Sequence, residues 1–130
     1  MKRIILTLII LFSILNQAQA EVYLTASWYS RASLIKEGTW KNGQERRMAN
    51  GESFNENNLT CANRLFPLGS MLRVTNLKSG KAVIVKTTDR ISKRFAKTRI
   101  DLSAGAFDRI DNRQQGIVQV KVELLKGGDF

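Results

Sequence analysis

The chain of 130 residues has no histidine, one cysteine and one proline, and only 11 acidic side chains against 21 lysines and arginines. Each shortage closes off a class of chemistry. Without histidine there is no Ser-His-Asp or Cys-His nucleophilic site, and no histidine-bearing zinc site. With Cys61 as the single thiol, no intramolecular disulfide can form and no thiolate cluster can hold a structural metal. Cys61 lies in the apolar-flanked run Leu59-Thr60-Cys61-Ala62, which fits a buried, inert side chain. No metal or cofactor is expected, so acid–base chemistry would fall to carboxylates.

Long apolar stretches are scarce as well. The one that stands out, Ile4 to Ile14 with Thr7 and Ser13 inside it, follows Lys2-Arg3 and precedes Ala18-Gln19-Ala20. A charged start, a short apolar centre and a small-x-small site read as a secretory signal peptide over residues 1–20. The run is too short to span a bilayer comfortably, so no stable membrane anchor is expected. Cleavage after Ala20 is the natural expectation, with Ala18 as a competing boundary. No cysteine follows the apolar centre to take a lipid. Residues 21–130 then form one domain, exported to the periplasm or secreted in soluble form, with room for a single core.

The formal charge is +10, or +8 once Lys2 and Arg3 leave with the peptide. A basic exported domain suits an anionic surface such as cell-wall polymer, although solubility alone would also account for the excess. Nucleic acid is not an expected partner, given export and the lack of an aromatic-basic stacking array.

Val22 to Tyr29 is rich in β-branched and aromatic residues and predicts a strand. Ser33 to Arg47, with Gly38, Asn42-Gly43 and many charges, reads as an exposed loop. Segments 73–77 and 81–86 flank Lys78-Ser79-Gly80 as a hairpin, and Ile117 to Leu124 alternates as a half-buried last strand. Ser103 to Ile110 predicts a helix with Ser103 as N-cap and Leu102, Ala106, Phe107 and Ile110 on its apolar face. Residues 126–130 read as a frayed tail. Several short strands, one helix and a single proline point to an all-β domain closed as a small barrel.

The carboxylates of interest are Glu52 and Asp89, both in turn contexts between β-rich segments. Around them, Arg46-Arg47-Met48-Ala49-Asn50-Gly51-Glu52-Ser53-Phe54 resembles the Arg-x-x-Ala-(Ser/Asn)-Gly-Glu-x-Phe element of the rare lipoprotein A (RlpA) family of septal-ring lytic transglycosylases. Thr60-Cys61-Ala62-Asn63, Phe66-Pro67-Leu68-Gly69-Ser70, the hairpin from Arg73, Asp89-Arg90 and Arg99-Ile100-Asp101-Leu102-Ser103 follow in the family's order. The resemblance spans Ala26 to Leu125. It implies a six-stranded double-psi β-barrel of the barwin and expansin kind. It also implies cleavage of the MurNAc-GlcNAc bond of peptidoglycan to leave a 1,6-anhydro end, with peptide-stripped glycan as a possible substrate.

Carried over residue by residue, the resemblance puts Glu52, position 63 and Asp89 on the active-site cleft. Asp89 would be the general acid/base. Glu52 would orient substrate or raise the proton affinity of Asp89. Asn63 stands where the family has histidine, and it hydrogen bonds but cannot titrate. Ile91-Ser92 replaces Gly-Pro after Asp89-Arg90. These departures leave a second reading open, a catalytically weak or inactive peptidoglycan-binding module. Trp28, Tyr29 and Trp40 could stack on sugar rings, with Trp40 the better exposed contact and core packing the alternative for Trp28. Arg90 belongs to a basic cluster with Lys86, Lys93, Arg94, Lys97 and Arg99, fit to hold an anionic glycan or simply to be solvated. Asp101 reads as a barrel-internal hydrogen-bonding residue. Peptidoglycan strands are the expected partner and a monomer the expected state.

Overall fold

Alternating apolar residues on six strands close into a barrel, and that alternation decides which side chains meet inside it. The computed structural model describes residues 20–41 and 43–126. The strands are β1 (Glu21–Tyr29), β2 (Thr60–Ala62), β3 (Met71–Asn76), β4 (Ala82–Asp89), β5 (Arg99–Ser103) and β6 (Val118–Leu124). They are arranged β1-β5-β2-β4-β3-β6, with β6 returning to β1. The β1–β5 and β2–β4 pairs are parallel and the other four antiparallel. This is the closed six-stranded all-β architecture implied by the resemblance.

Leu24, Ala26, Leu72, Val74, Val83, Val85, Ile100, Leu102, Val120 and Val122 point inward at every second position. Fully burying such a side chain is worth roughly 1.5–3 kcal/mol, so a one-residue slip of any strand would expose a whole row. Cys61 joins this interior fully buried, as expected, and burial pushes its thiol up to about 12. Helix α2 (Ala104–Phe107) packs Ala106 and Phe107 on the same core, and Ile110 follows in the next turn. Ser103 caps α2 by accepting from the Ala106 amide, although the helix stops well before the predicted Ile110.

The β3–β4 hairpin forms where the sequence places it. Asn76 Oδ1 accepts from the Lys78 and Ser79 amides, and Gly80 supplies a positive φ of 76°. One expectation needs correction. The stretch from Ser33 is not wholly loop, since Arg31–Lys36 forms helix α1. Ser30 and Ser33 each accept the other's backbone amide as a capping box, and Leu34 buries as its anchor. One buried residue in six carries no helical period, which is why composition pointed to a loop. The proposed signal peptide, apart from Ala20, lies outside the described residues, as do Gly127–Phe130 of the tail.

Candidate functional site

A second apolar cluster, Tyr29, Leu34, Met48, Phe54, Ala62 and Ile91, sits against the barrel wall beneath α1 and the 46–54 loop. Beside it the strand register lines up four short or polar side chains. Ser27 of β1 lies opposite Asp101 of β5, which lies opposite Ala62 of β2. On the next ladder Cys61 faces Thr87, but Ala62 faces Asp89, leaving Thr88 as an extra residue. That bulge brings Asp89 into the same row. Neighbouring strands are about 4.8 Å apart, so the two acidic residues stand roughly 10 Å apart along the backbone with only the Ala62 methyl between them.

A cavity of about 430 Å³ opens over this row. Asp89, Asp101, Arg90, Trp28 and Tyr29 line it, together with Arg46 and Arg99. Asp89 Oδ1 accepts from the backbone amides of Ala49, 3.1 Å away, and Arg90, 2.9 Å away, which hold the carboxyl in one orientation. The Ala49 donor comes from a tight loop closed by the Met48–Glu52 backbone bond, where Gly51 takes a φ of 89°. Asp101 is hydrogen bonded to Ser27 Oγ. Burial raises its proton affinity above the ordinary carboxylate value, against the opposing effects of the Ser27 bond and the Arg99 charge. The cavity thus holds one acid clamped by amides and a second biased toward keeping its proton. Such a pair can donate a proton at one point and stabilise positive charge at another.

Arg90 Nη1 donates to the carbonyls of Asn63 and Phe66, fixing the loop behind β2. Trp28 donates through Nε1 to the Arg113 carbonyl, and the Arg113 guanidinium covers its ring. It both packs on the barrel core and borders the cavity. Tyr29 stacks on Phe54 with ring centroids 4.7 Å apart. Burial and then the nearby Asp89 charge raise its phenol well above the ordinary value, so it remains a donor. The neighbouring Thr60 hydroxyl opposes this only weakly, and its geometry falls short of a hydrogen bond.

Three residues expected on the cleft do not line the cavity. Asn63 is 1% exposed: its Nδ2 donates to Thr87 Oγ1, and its Oδ1 accepts from the Leu65 and Phe66 amides. It organises a turn from within, and its side chain is closed off from the cavity. Glu52 points away and pairs with Lys86 at 3.2 Å, both side chains largely solvated. Its loop reaches the site through the Ala49 amide instead. Trp40 is half-buried rather than freely exposed: it meets Phe54 edge-on, lies beneath the Arg31 guanidinium and donates to the Gln44 carbonyl.

Conversely, Asp101 was expected inside the barrel but faces the cavity. The alternation in Ile100-Asp101-Leu102 carried that signal, since two inward aliphatics force the residue between them outward. Ser27 was missed for lack of any local mark, whereas Arg46 opens the Arg-x-x-Ala element and was read only as part of that motif. Of the basic cluster, Arg90 and Arg99 line the cavity, Arg94 and Arg99 both lie over the Phe95 ring, and Lys86 pairs instead with Glu52. Among the described residues no group of three acidic or thiol side chains could hold a metal ion.

A family model described as lytic transglycolase, of the double-psi β-barrel type, matches residues 21–122. The endolytic peptidoglycan transglycosylase RlpA of Pseudomonas aeruginosa strain UCBPP-PA14 is 39% identical over 110 residues, 84% of this chain and 29% of that protein. RlpA of Rickettsia felis is 39% identical over 102 residues, 77% of this chain and 40% of that protein. The chain therefore spans well under half the length of these relatives. Among solved structures, Streptomyces papain inhibitor superposes with a TM-score of 0.62 at 16% identity, covering 82% of this chain and 96% of that one. A Clavibacter michiganensis expansin superposes at 0.61 with 17% identity, covering 83% and 52%. At those identities the likeness establishes a common fold. The barrel, the ordered motifs and the matched family model together make this chain a member of the RlpA-like, double-psi β-barrel lytic transglycolase family.

Proposed function

We propose that this chain is an exported peptidoglycan lytic transglycosylase that cleaves the MurNAc-GlcNAc bond and leaves a 1,6-anhydro-MurNAc end. The observation that carries this reading is the Asp101–Ala62–Asp89 row beneath one sugar-sized cavity. The relatives' names supply the reaction.

In this reading a carboxyl protonates the glycosidic oxygen as the C1–O bond breaks, and the departing sugar keeps that proton on its new hydroxyl. The MurNAc 6-hydroxyl closes on C1, and its proton returns to the carboxylate. No water is consumed, so no second acid has to activate one. Asp101, with raised proton affinity, suits the donor role, while Asp89 faces the developing oxocarbenium charge. Trp28 offers a ring edge for sugar contact. Glu52 acts through its loop, by holding the Ala49 amide that orients Asp89.

Digestion of sacculi and of peptide-free glycan by the purified protein tests the proposal. Release of 1,6-anhydro products is expected. Asp101→Asn and Asp89→Asn should each lower the rate about 100- to 10,000-fold, while Glu52→Gln should stay within a few-fold of the parent. Absence of anhydro products from both substrates, beside an active control enzyme, would overturn the reading.

One observation favours a second reading. The position that carries histidine in the family is filled by a buried, non-titrating Asn63, which leaves the site without a proton carrier there. A peptidoglycan-binding module without catalysis would bind glycan in the same assay and release nothing.

A further inference from the structure

Two connections meet at one end of the barrel, the turn 63–70 between β2 and β3 and the loop 90–98 between β4 and β5. They are lashed together: Arg64 Nε donates to the Ile91 carbonyl, and Arg90 Nη1 donates to the carbonyls of Asn63 and Phe66. Within the turn Phe66 anchors in the barrel core, and the Gly69 amide donates to the Thr87 carbonyl at 2.8 Å. These fixed points leave Leu65 and Leu68, on either side of the anchor, 40% and 38% exposed, with Pro67 exposed between them. The other large apolar residues exposed among the described residues, Tyr23, Leu77 and Ile117, come from separate segments. Around the leucines the charge is of one sign. From Asn57 to Ile100 the chain has ten lysines and arginines and a single acid, Asp89, which two backbone amides hold on the cavity wall. Lys93, Arg94 and Lys97 stand exposed on the loop and Arg64 on the turn. None of the four has a carboxylate within ion-pair distance among the described residues. The chain also enters the barrel at this end. The Leu124 amide donates to the Ala20 carbonyl at 3.0 Å, and the Leu125 amide to the Met71 carbonyl at 2.9 Å. Ala20 is thus two strand spacings, roughly 10 Å, from the foot of the turn. Residues 1–19, with the apolar run Ile4 to Ile14, join the barrel there.

We infer that this end of the barrel docks reversibly on an anionic phospholipid surface, with Arg64, Lys93, Arg94 and Lys97 against the headgroup phosphates and Leu65 and Leu68 at the acyl boundary. The inference does not depend on the reaction proposed above. Each cation held within a Debye length of an anionic bilayer adds to the attraction. An apolar side chain set below the headgroups adds a contribution that a soluble polyanion cannot supply. A charged wall polymer would use the basic side chains alone and leave both leucines in water. The leucines therefore favour a bilayer over a polymer. The chain's entry point favours it too, since on the signal-peptide reading export brings the domain to the membrane by this same end. Ser92 and Phe95 of the loop line the cavity, so docking holds the cavity beside the membrane surface.

The test is co-sedimentation of the exported protein, its N-terminus fixed by mass spectrometry, with vesicles of phosphatidylglycerol mixed equally with phosphatidylcholine. Binding is expected in low salt, should weaken as salt rises, and should be lost on vesicles of phosphatidylcholine alone. Lys93→Ser/Arg94→Ser/Lys97→Ser should lower the vesicle partition constant about 100-fold. Leu65→Ser/Leu68→Ser, which leaves the charge unchanged, should lower it roughly 10-fold. Lys78→Ser/Lys81→Ser alters the β3–β4 hairpin at the opposite end of the barrel and should stay within about 2-fold of the parent. All of these sites are exposed, so the urea midpoints should agree and show that each variant is folded. Polyglutamate, a soluble anionic polymer, provides the contrasting arm. Parent-like vesicle binding by the leucine variant, together with displacement of the protein from vesicles by polyglutamate, would assign the face to a charged polymer and overturn the inference. Equal losses in the hairpin variant would reduce the effect to net charge and overturn it as well. Equal binding to neutral and anionic vesicles, or no binding to either, ends it.

Discussion

The barrel interior and the shell outside its β1–β5–β2–β4 wall are built from the same strands to opposite ends. Inside, aliphatic side chains interlock and Cys61 is sealed among them. Outside, Tyr29, Met48, Phe54 and Ile91 give way to Asp89, Asp101 and Arg46 within one cavity. Among the described residues, the buried side-chain atoms left without partners, Tyr29 Oη, Arg46 Nη1 and Thr60 Oγ1, all belong to this outer side. One face of each strand thus maximises stability, and the other retains groups whose satisfaction must come from elsewhere. Proteins concentrate such concessions where they act.

The comparison breaks most visibly if the interior is emptied. Leu102→Ala removes a fully buried side chain from the middle of β5 and should cost about 2–5 kcal/mol in denaturant unfolding. Its side chain faces the barrel interior and not the cavity, so activity should fall only as the folded fraction falls.

Asn63→Ala sharpens the boundary between the two regions. It strips the Leu65 and Phe66 amides and Thr87 Oγ1 of their partner, with an expected loss of roughly 1–3 kcal/mol. At temperatures where the variant is folded, glycan affinity should match the parent. A selective loss of affinity at full stability would return Asn63 to the cleft.

The smallest effect runs in the opposite direction. Asp101 binds its proton more strongly in the folded chain than at its ordinary value of 3.8, so the folded state holds more protons than the unfolded one in the window above that value. Its contribution to stability is greatest at low pH and declines as pH rises through the folded-state value. Asp101→Asn should therefore flatten this part of the stability–pH curve and raise the melting temperature slightly near neutral pH. A lower melting temperature there would mean that the Ser27 bond outweighs desolvation.

Much of the scaffold was legible before any coordinates. The β3–β4 hairpin announced itself through Lys78-Ser79-Gly80, and β6 through the alternation read from Ile117 to Leu124, one residue longer than the strand itself. Both signals are local, arising within about ten residues. Helix α1 was missed because its stability comes from a Ser30–Ser33 box and one anchored Leu34, a pattern too small to show a period. At the site, Asp89 was marked by its motif, whereas Glu52 was marked equally well and faces solvent beside Lys86. The same motif carries both a side chain used in the cavity and a loop that supports it, and spacing along the chain does not distinguish them.

The sequence by itself determined that no histidine could take part in acid–base chemistry here, that the strands would hide one face, and that the family motifs would run in order along the chain. Only the tertiary structure decided which acids meet. Asp89 shares a row with Asp101 because a bulge at Cys61–Ala62 shifts one ladder by a residue, and because β5 inserts between β1 and β2. Both are relations between segments distant in the chain. They are fixed by how inward-facing side chains pack, and no local pattern encodes them.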